Sequence, residues 1–468
     1  MSTRALLEEV LRLAAAYEEG LPERHVGPRA GVAALREVLG GPLPERGEDP
    51  RRVITALARD ADPGVVAMAG PRYFGFVTGG RLPVALAADW LTSTWDQNGC
   101  LAVMSPAVSV LEEVAGTWVK GLLGIPQEAG VGFVTGSQVA NFTAMLAARN
   151  ALLRRAGWDL ERDGVRGSPP LHVVMGEEAH SSVQRALRYL GVGTRDVHAV
   201  PVDAQGRLRA EALGPVLARL EGPVLVCAQA GNVNTGACDA LEPIADACER
   251  RGAWLHVDGA FGLWAAAAPA RRHLVRGLER AQSWALDAHK WLNVPYDSAM
   301  VAVQPASALK DAISVSAAYL PQGGGERNAL EYGLEMSRRA RGLTVYAALR
   351  SLGREGVAEL VERCCRLAAR FAERLAAEGG VQVLNEVVLN QALVRFAPAG
   401  LSAAEADALT RAVIARVQQE GTCWLGGTVW QGVAAVRLSV SNASTREADI
   451  DRSAEAVLAA YRAERGAR

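Results

Sequence analysis

Short apolar runs of strand length alternate with helix-length segments through the middle of this 468-residue chain. Runs that are apolar throughout, rather than at every second position, are typical of strands buried on both faces of a parallel sheet. The pattern predicts an α/β fold with a mostly parallel, seven-stranded sheet. Its strands are expected at 131–135, 171–175, 197–201, 224–228, 254–258, 283–286 and 299–303, with helices near 137–156, 180–190, 207–220 and 241–251.

The segments on either side of this alternation have different patterns. Residues 1–82 read as helices broken by proline and glycine; the first is amphipathic, lacks an obvious partner in its own segment and is expected to pack on another subunit. Residues 83–342 are predicted to form the large α/β domain. Residues 343–468, with a long helix near 343–377 followed by strands alternating with helices, are predicted to form a smaller α+β domain.

Composition and charge exclude several classes of protein. The net charge of −1 lacks the basic excess of nucleic-acid binders, and no apolar run is long enough to span a membrane. The leading helix carries charges throughout, unlike a signal peptide. Seven cysteines without CxxC pairing argue against a disulfide framework or a metal site and indicate a reducing compartment. A cytoplasmic protein is expected.

Lysine is rare in this chain, since only three of its 50 lysine and arginine residues are lysines. Lys290 lies in the apolar stretch 283–293, whereas Lys120 and Lys310 lie in ordinary helical and polar contexts. An amine can lose its proton and attack a carbonyl, and burial favours its neutral form. Lys290 is therefore a candidate for an imine with a carbonyl cofactor. The alternative is a strand-end lysine whose amine reaches solvent.

The run 135–141 (Thr-Gly-Ser-Gln-Val-Ala-Asn) closes a predicted strand and opens a helix. Exposed backbone N–H groups and the helix dipole favour a phosphate at such a point. Gly136 permits close approach, and Ser137 adds a hydroxyl. The alternative is a plain serine N-cap. Neither a Walker lysine nor GxGxxG is present, which argues against P-loop and Rossmann sites.

Polar side chains also follow other predicted strands. Asp258 ends a buried strand and needs a cationic partner, which a protonated pyridine nitrogen would supply while strengthening the ring as an electron sink. The alternative is an N-cap or a structural ion pair. Ala260 is small enough for a flat ring to lie against the strand. His180 is a candidate for ring stacking or proton donation, and His256 is expected to be a satisfied core histidine.

Further donors complete a candidate site. His289 is placed to contact a phosphate, and the loop 229–236, which contains Asn232 and Thr235, is rich in amide and hydroxyl groups. Because the carboxyl ends of parallel strands meet at one edge, one crevice is expected to hold these groups. A phosphate cradle, a buried carboxylate, a stacking histidine and an imine lysine together predict a pyridoxal phosphate site.

The motifs then point to a family. The run 256–260 (His-Val-Asp-Gly-Ala) is followed about thirty residues later by 289–291 (His-Lys-Trp), and matching motifs run in order from Arg72 to Ser441. The chain resembles the group II pyridoxal-phosphate decarboxylases, the family of aromatic-amino-acid, glutamate and related decarboxylases. The resemblance implies the aspartate-aminotransferase-like fold type I, pyridoxal 5′-phosphate as cofactor, and a homodimer with shared active sites.

The resemblance implies roles for individual residues around the cofactor. Lys290 binds it as an imine, Asp258 pairs with the pyridinium nitrogen, and His180 stacks on the ring with Ala260 beside it. The implied contacts of the phosphate and its surroundings are Gly136, Ser137, Gln138, Asn232, Thr235 and His289. Tyr319, just ahead of a run of three glycines, matches the catalytic tyrosine of the family's mobile loop, which reaches the neighbouring subunit's site.

The resemblance also implies a substrate pocket. Thr78 and the segment 95–100, with Trp95 and Asn98, match pocket segments, and Arg437 matches an arginine near the substrate carboxylate. An aromatic L-amino acid is favoured because four aromatic side chains fall near the expected pocket: Phe74, Phe76, Trp95 and Trp284.

Asp287 departs from the family's pattern, in which asparagine is common at this position. An aspartate near a phosphate is repulsive, so Asp287 is expected to turn away or to accept hydrogen bonds from backbone amides. The implied reaction is α-decarboxylation of an L-amino acid to the amine and carbon dioxide. The alternatives are a decarboxylation-coupled aldehyde synthase, against which the intact Tyr319 argues, a transaminase, and a cofactor-binding protein without turnover.

Overall fold

A computed structural model describes residues 2–314 and 326–467 of the chain. The chain divides into two compact units, each built from segments that are separate in sequence. The first unit comprises Met1–Thr78, Arg370–Leu384 and Leu393–Arg468, and the second comprises Gly79–Ala369 and Asn385–Ala392. The three-part domain division expected from the sequence stays a prediction.

The helices follow the predicted periodicity closely. The α-helices of the described residues are α1 (Thr3–Gly20), α2 (Val32–Leu39), α3 (Pro50–Ala61), α4 (Pro83–Trp95), α5 (Pro106–Leu123), α6 (Ser137–Arg155), α7 (Leu160–Asp163), α8 (Ser181–Tyr189), α9 (Ala210–Leu217), α10 (Leu241–Arg251), α11 (Ala306–Ile313), α12 (Gly342–Ala376), α13 (Ala403–Glu420) and α14 (Glu447–Gly466). The predicted long helix, α12, is interrupted by a kink at Gly353, where the backbone is not helical. Within that part of the chain, no helix combines the length and the apolarity needed to cross a membrane.

The large sheet lies in the second unit and confirms the predicted seven-stranded, mostly parallel architecture. Its strands, in the spatial order β1-β7-β6-β5-β4-β2-β3, are β1 (Gly130–Val134), β2 (His172–Gly176), β3 (Val197–Val200), β4 (Val224–Gln229), β5 (Trp254–Asp258), β6 (Ser283–Asp287) and β7 (Ala299–Val303). The pairings among β2 to β6 are parallel, whereas β7 is antiparallel to both β1 and β6.

Packing against the sheet explains the continuous apolar runs. All five residues of β1, β5, β6 and β7 are buried. One core cluster joins the sheet to α6, α8 and α11, with members such as Met145, Leu187, Val301 and Leu309. Burying a side chain of this size stabilises the folded state by about 1.5–3 kcal/mol. Contact with the sheet therefore determines where these helices lie.

The smaller sheet has four strands in the order β10-β11-β9-β8. They are β8 (Val381–Val383), β9 (Gln391–Phe396), β10 (Gly426–Trp430) and β11 (Val433–Ser439). Helix α13, which lies between two of these strands in sequence, begins with a reciprocal capping box in which the Ser402 N–H donates to Glu405 Oε2 at 2.8 Å. The predicted smaller sheet toward the C-terminus is confirmed.

Candidate active site

The carboxyl ends of β1, β5 and β6 lie at one edge of the large sheet. Because β7 runs antiparallel to both β1 and β6, those two strands share one direction, and β5 is parallel to β6. Ser137 follows β1, Asp258 ends β5, and Asp287 ends β6 with Lys290 just beyond it. Strand order therefore brings these side chains to one edge, where ligands of α/β sheets bind.

Asp287 joins the lysine to the start of α6. Its Oδ2 lies 2.9 Å from Lys290 Nζ. The Ser137 N–H donates to Asp287 Oδ1 at 2.6 Å, and the Ser137 hydroxyl donates to Oδ2 at 2.8 Å. Asp287 accepts from a backbone amide, one of the two arrangements expected from the sequence. The other lysines are engaged elsewhere: Lys120 Nζ donates to Ala129 O at 3.0 Å, and Lys310 pairs with Glu331 at 2.7 Å.

These partners keep Asp287 ionised. Burial raises the pKa of its carboxyl, but the charges of Lys290 and His289 and the hydrogen bonds from Lys290 and Ser137 outweigh burial and hold the pKa below its ordinary value. The N-terminus of α6 therefore already faces a negative charge. The plain serine N-cap is wrong, because Gly136 is the N-cap residue and the Ser137 hydroxyl is used by Asp287. Gln138 follows as the second residue of α6.

Asp258 is a buried carboxylate in the same region. Its Oδ2 accepts from Asn141 Nδ2 at 3.1 Å, and its Oδ1 accepts from the Ala260 N–H at 3.3 Å. Burial raises the pKa of Asp258, while the charges of His180 and Lys290 and these hydrogen bonds oppose the rise. A carboxylate in this setting favours a further cationic partner.

His180 is the N-cap residue of α8. Its Nδ1 lies 2.7 Å from Ser182 Oγ and accepts from the Ser182 N–H at 3.3 Å. These contacts fix the orientation of the imidazole. His180 and Asp258 line one pocket, so the structure brings together the histidine and the carboxylate that the sequence singled out.

His289 has a buried nitrogen without a protein partner. Its Nδ1 makes no hydrogen bond to any described residue, its Nε2 lies 3.6 Å from Asp287 Oδ1, and its ring centroid is 4.4 Å from that of Tyr296. Burial lowers the pKa of His289, and the Asp287 charge opposes that effect. One polar atom of the imidazole is therefore unused by the described residues.

Asn232 and Thr235 brace their own loop. Asn232 Oδ1 accepts from the N–H groups of Asn234 at 2.8 Å and Thr235 at 3.2 Å, and Thr235 Oγ1 donates to Gln205 O at 2.7 Å. These hydrogen bonds give both residues a structural role. A direct contact of either with the cofactor stays a prediction.

The loop before α4 is tied to the turn that carries Lys290. The Gly80 N–H donates to Asn293 Oδ1 at 2.8 Å, and the Leu82 N–H donates to Asn293 O at 2.8 Å. A Cβ on Gly79 would lie 1.7 Å from Lys290 O. Only glycine allows this approach, so the loop helps to position the backbone of Lys290.

The predicted pocket residues lie in both units. In the second unit, Trp95 is an exposed residue at the end of α4, and Asn98 Oδ1 accepts from the N–H groups of Cys100 and Arg338. In the first unit, Thr78 is buried and Arg437 lies on β11, where burial lowers the pKa of its guanidinium and Tyr73 opposes the effect. Their contacts with substrate stay predictions. Tyr319 lies outside the described residues.

Two of the four aromatic side chains assigned to the pocket are core residues instead. Trp284 is fully buried on β6, and its Nε1 donates to Leu278 O at 2.9 Å. Phe74 is 1% exposed and packs edge-on against Phe371. Their assignment to the pocket is wrong, because an apolar run looks the same whether it lines a pocket or a core. Phe76 is exposed and stacks on Trp424.

Sequence reasoning missed Asn141 and Ser182. Asn141 Nδ2 lies 3.5 Å from Ser182 Oγ and donates to Asp258 Oδ2, so one amide contacts both the partner of His180 and the buried carboxylate. The signal for Asn141 was its spacing: it stands four residues after Ser137, on the same face of α6. Nothing local distinguished Ser182 from an ordinary first-turn serine.

Comparison with known proteins identifies the family. Residues 34–397 match the pyridoxal-dependent decarboxylase conserved domain. The chain belongs to the pyridoxal-dependent decarboxylase family.

Similar proteins agree with that membership. The chain is 28% identical over 420 residues to an aromatic-L-amino-acid decarboxylase of Bacillus atrophaeus, covering 88% of this chain and 85% of that protein. It is 30% identical over 392 residues to an acidic amino acid decarboxylase of Homo sapiens, covering 82% and 73%. The fold matches the crystal structure of Oryza sativa TDC with PLP and tryptamine, with a TM-score of 0.92, 23% identity, and coverage of 98% of this chain and 97% of that one.

The residues of this family member fit pyridoxal phosphate. A primary amine at Lys290 and a buried carboxylate at Asp258 suit the aldehyde and the ring nitrogen of that cofactor. His289, whose Nδ1 has no partner among the described residues, lies beside Gly136 at the N-terminus of α6, a setting that suits the phosphate. The protein is a pyridoxal-phosphate-dependent carboxy-lyase that decarboxylates an L-amino acid.

Proposed function

We propose that the substrate is an aromatic L-amino acid and that Lys290, Asp258 and His180 carry the reaction, with Tyr319 as the proton donor. The observation that carries the assignment of residues is the placement of the three described groups: His180 and Asp258 line one pocket, and Asp258 and Lys290 lie at the carboxyl ends of the neighbouring parallel strands β5 and β6. When bound, pyridoxal phosphate supplies an electron sink for the carbon that loses its carboxylate.

Each side chain has a distinct task in this proposal. Lys290 Nζ would hold the cofactor through its aldehyde, and Asp287 keeps that nitrogen within 2.9 Å of a carboxylate. Asp258 keeps a proton on the ring nitrogen through its negative charge. His180, oriented by Ser182, would stack on the ring. Ser137, Gln138 and His289 would hold the phosphate.

Support for an aromatic substrate comes from two sources. The relative from Bacillus atrophaeus is an aromatic-L-amino-acid decarboxylase, and Phe76 and Trp95 are exposed aromatic side chains in segments that match the family's pocket. The 30% identical acidic amino acid decarboxylase keeps an acidic substrate as the second candidate, with Arg437 as the cation that would receive its carboxylate.

The deciding experiment measures carbon dioxide release from each of the twenty proteinogenic amino acids, with amine, aldehyde and 2-oxo acid quantified by chromatography. The proposal expects release with tryptophan, tyrosine or phenylalanine and stoichiometric amine. Release with aspartate or glutamate alone would favour the acidic candidate. Aldehyde with peroxide would identify an aldehyde synthase, a 2-oxo acid without carbon dioxide a transaminase, and no product from any amino acid a protein without turnover.

We further propose a homodimer in the cytoplasm. Leu7 and Leu11 on α1 and Leu57 on α3 are at least half exposed, and apolar faces of this kind are typically covered by another chain. All seven cysteines are free and buried, which suits a reducing compartment. Light scattering of the loaded enzyme should give twice the chain mass of 49.4 kDa, and a fully active monomer would contradict the dimer.

A further inference from the structure

A chain of buried polar groups runs behind Asp258. Trp254 Nε1 lies 2.9 Å from Ser283 Oγ, which lies 2.9 Å from His256 Nδ1. His256 Nε2 lies 2.9 Å from Asn141 Oδ1, and Asn141 Nδ2 lies 3.1 Å from Asp258 Oδ2. Trp254, Ser283, His256 and Asn141 are each 0% exposed. The strand register makes this possible, because His256 on β5 pairs with Ser283 on β6.

The donors and acceptors allow one direction of hydrogen bonding that uses every group. An indole N–H can only donate, so Ser283 Oγ accepts from Trp254 and its own hydroxyl hydrogen goes to His256 Nδ1. The hydrogen of the neutral imidazole is then on Nε2 and goes to Asn141 Oδ1. The Asn141 amide nitrogen is left to face Asp258 Oδ2, with Ser182 Oγ at 3.5 Å.

The opposite direction of hydrogen bonding cannot satisfy the groups at either end of this row, Ser283 and Asp258. At one end, Asp258 would have to be protonated in order to donate to a flipped Asn141 amide. At the other end, the Ser283 hydroxyl hydrogen would have no acceptor among these polar groups. His256 is neutral in either case, because burial lowers its pKa to about 3. Burial also raises the pKa of Asp258, so a donor fixed on its Oδ2 acts against protonation.

We propose that Trp254, Ser283, His256 and Asn141 are positioning residues that form a one-way hydrogen-bond relay, which keeps Asp258 ionised and oriented for the ring nitrogen of the cofactor. This rests on the role assigned to Asp258 under the proposed function. His256, a satisfied core histidine by its contacts, thereby acts on the site through Asn141.

The first test is independent of turnover. In apoprotein labelled with ¹⁵N-histidine, the His256 signals, assigned by their loss in His256→Gln, should show a neutral ring protonated at Nε2 from pH 8 down to pH 5. A ring protonated at Nδ1, or one that titrates in this range, would overturn the relay. Because no substrate is used, this result stands even if none of the twenty amino acids is decarboxylated.

The second test uses the enzyme loaded with pyridoxal phosphate. Asn141→Asp keeps the acceptor for His256 but replaces the fixed amide donor by a carboxyl that shares one proton with Asp258, and Ser283→Ala removes the group that accepts from Trp254 and donates to His256. For Asn141→Asp, kcat should fall roughly ten- to a hundredfold with KM little changed, and the pH at which the visible absorption of the loaded enzyme changes should differ from the wild-type value by about one to two units. Ser283→Ala should change kcat and the pH of the spectral change in the same directions, but by smaller amounts.

Thr143→Val is the matched control. Thr143 lies on α6 two residues from Asn141, is 0% exposed, and its hydroxyl has no hydrogen-bond partner among the described residues. This variant should leave kcat and the spectral transition unchanged. If Asn141→Asp and Ser283→Ala lower the melting temperature while the spectral transition stays at the wild-type pH, the residues are structural only and the relay is refuted.

Discussion

At the residue scale, Asp287 places a negative charge at the start of a helix that is expected to receive a phosphate. Its two oxygens accept from the Ser137 N–H and hydroxyl, so the groups best suited to a phosphate already have an anionic partner. The same carboxylate holds Lys290. Cofactor binding must therefore compete with an internal contact at this point.

Asp287→Asn should strengthen cofactor binding. The amide has the shape of the carboxylate without its charge, so repulsion of the phosphate is removed and Kd for pyridoxal phosphate should fall roughly tenfold. Fluorescence titration of the apoprotein measures this. Asp203→Asn is the control, since Asp203 accepts two backbone N–H groups on its Oδ1 alone, from Gln205 at 2.8 Å and Arg207 at 2.9 Å, and an amide oxygen can accept both. An Asp287→Asn variant with unchanged or weaker binding would show that the carboxylate does not compete.

Lys290→Ala should remove the visible absorption of the lysine-bound cofactor and abolish turnover while leaving the circular dichroism spectrum unchanged. The reason is that no other primary amine among the described side chains has this setting: Lys310, for example, pairs with Glu331. Lys310→Ala is the control and should keep both absorption and activity. A borohydride-reducible adduct in Lys290→Ala would disprove the assignment.

The buried imidazole of His256 should make stability depend on pH. Its pKa is lowered by burial to about 3 in the folded protein, while in the unfolded chain it is near 6.5. The contribution of the neutral His256 ring to the free energy of unfolding is therefore complete above pH 6.5. It is lost as the pH falls toward 3, because only the unfolded chain takes up the proton. Between pH 7 and pH 5, this should lower the free energy of unfolding by about 2 kcal/mol.

Urea denaturation of the wild-type apoprotein and of His256→Gln, each at pH 7 and pH 5, isolates the contribution of His256 to the free energy of unfolding. The variant should be less stable at pH 7 but should lose about 2 kcal/mol less on acidification. Equal losses in the two proteins would mean that His256 does not titrate on unfolding.

At the element scale, the turn after β6 and the loop before α4 together position the backbone of Lys290. Asn293 receives hydrogen bonds from Gly80 and Leu82 through its side chain and backbone, and Gly79 lies against the carbonyl of Lys290. The two segments come from distant parts of the chain. Their contact fixes where the lysine backbone can lie.

Gly79→Ala should disable the enzyme without unfolding it. The new Cβ would lie 1.7 Å from Lys290 O, so the lysine turn must shift, and a displacement of this order lowers kcat by about a hundredfold. Steady-state kinetics and the visible absorption of the loaded enzyme measure the effect. Gly193→Ala is the control, because a Cβ there meets nothing within 4 Å. Normal kinetics in Gly79→Ala would refute the close approach.

At the scale of the whole molecule, the proposed dimer would complete the active site. Tyr319 is expected to act in the partner's site, and the exposed apolar residues of α1 and α3 supply surface for association. A site shared between chains has a testable consequence, because two inactive variants can then complement each other.

Mixing Lys290→Ala with Tyr319→Phe chains should restore amine formation. One of the two sites in each mixed dimer would have both native residues, so random exchange should recover about a quarter of wild-type activity. The measurement is amine production after refolding the mixed chains together, with differently tagged chains to confirm that mixed dimers form. Mixed dimers no more active than the two variants alone would place Tyr319 in its own subunit's site.

Much of the architecture was readable from local pattern. The continuous apolar runs placed β1 to β7 within one or two residues, because burial on both faces leaves the same signature wherever a strand lies in the sheet. The motifs around Asp258 and Lys290 indicated the cofactor and the family, since lysine chemistry and a buried carboxylate are properties of residue type and setting. Trp284 shows the limit of such predictions: its sequence context could not distinguish a residue that lines a pocket from a residue in the core.

The sequence alone therefore determined which elements form, which cofactor the protein uses, and which lysine and carboxylate are the candidates to hold it. Only the tertiary structure decided what those groups touch. Ser137 and Asp287 are 150 positions apart, and Asn141 and Asp258 are 117 apart; each pair meets because antiparallel β7 places β1 and β6 in one direction and α6 packs across the sheet. Such contacts depend on strand order and side-chain packing, which the local periodicity of a sequence does not encode.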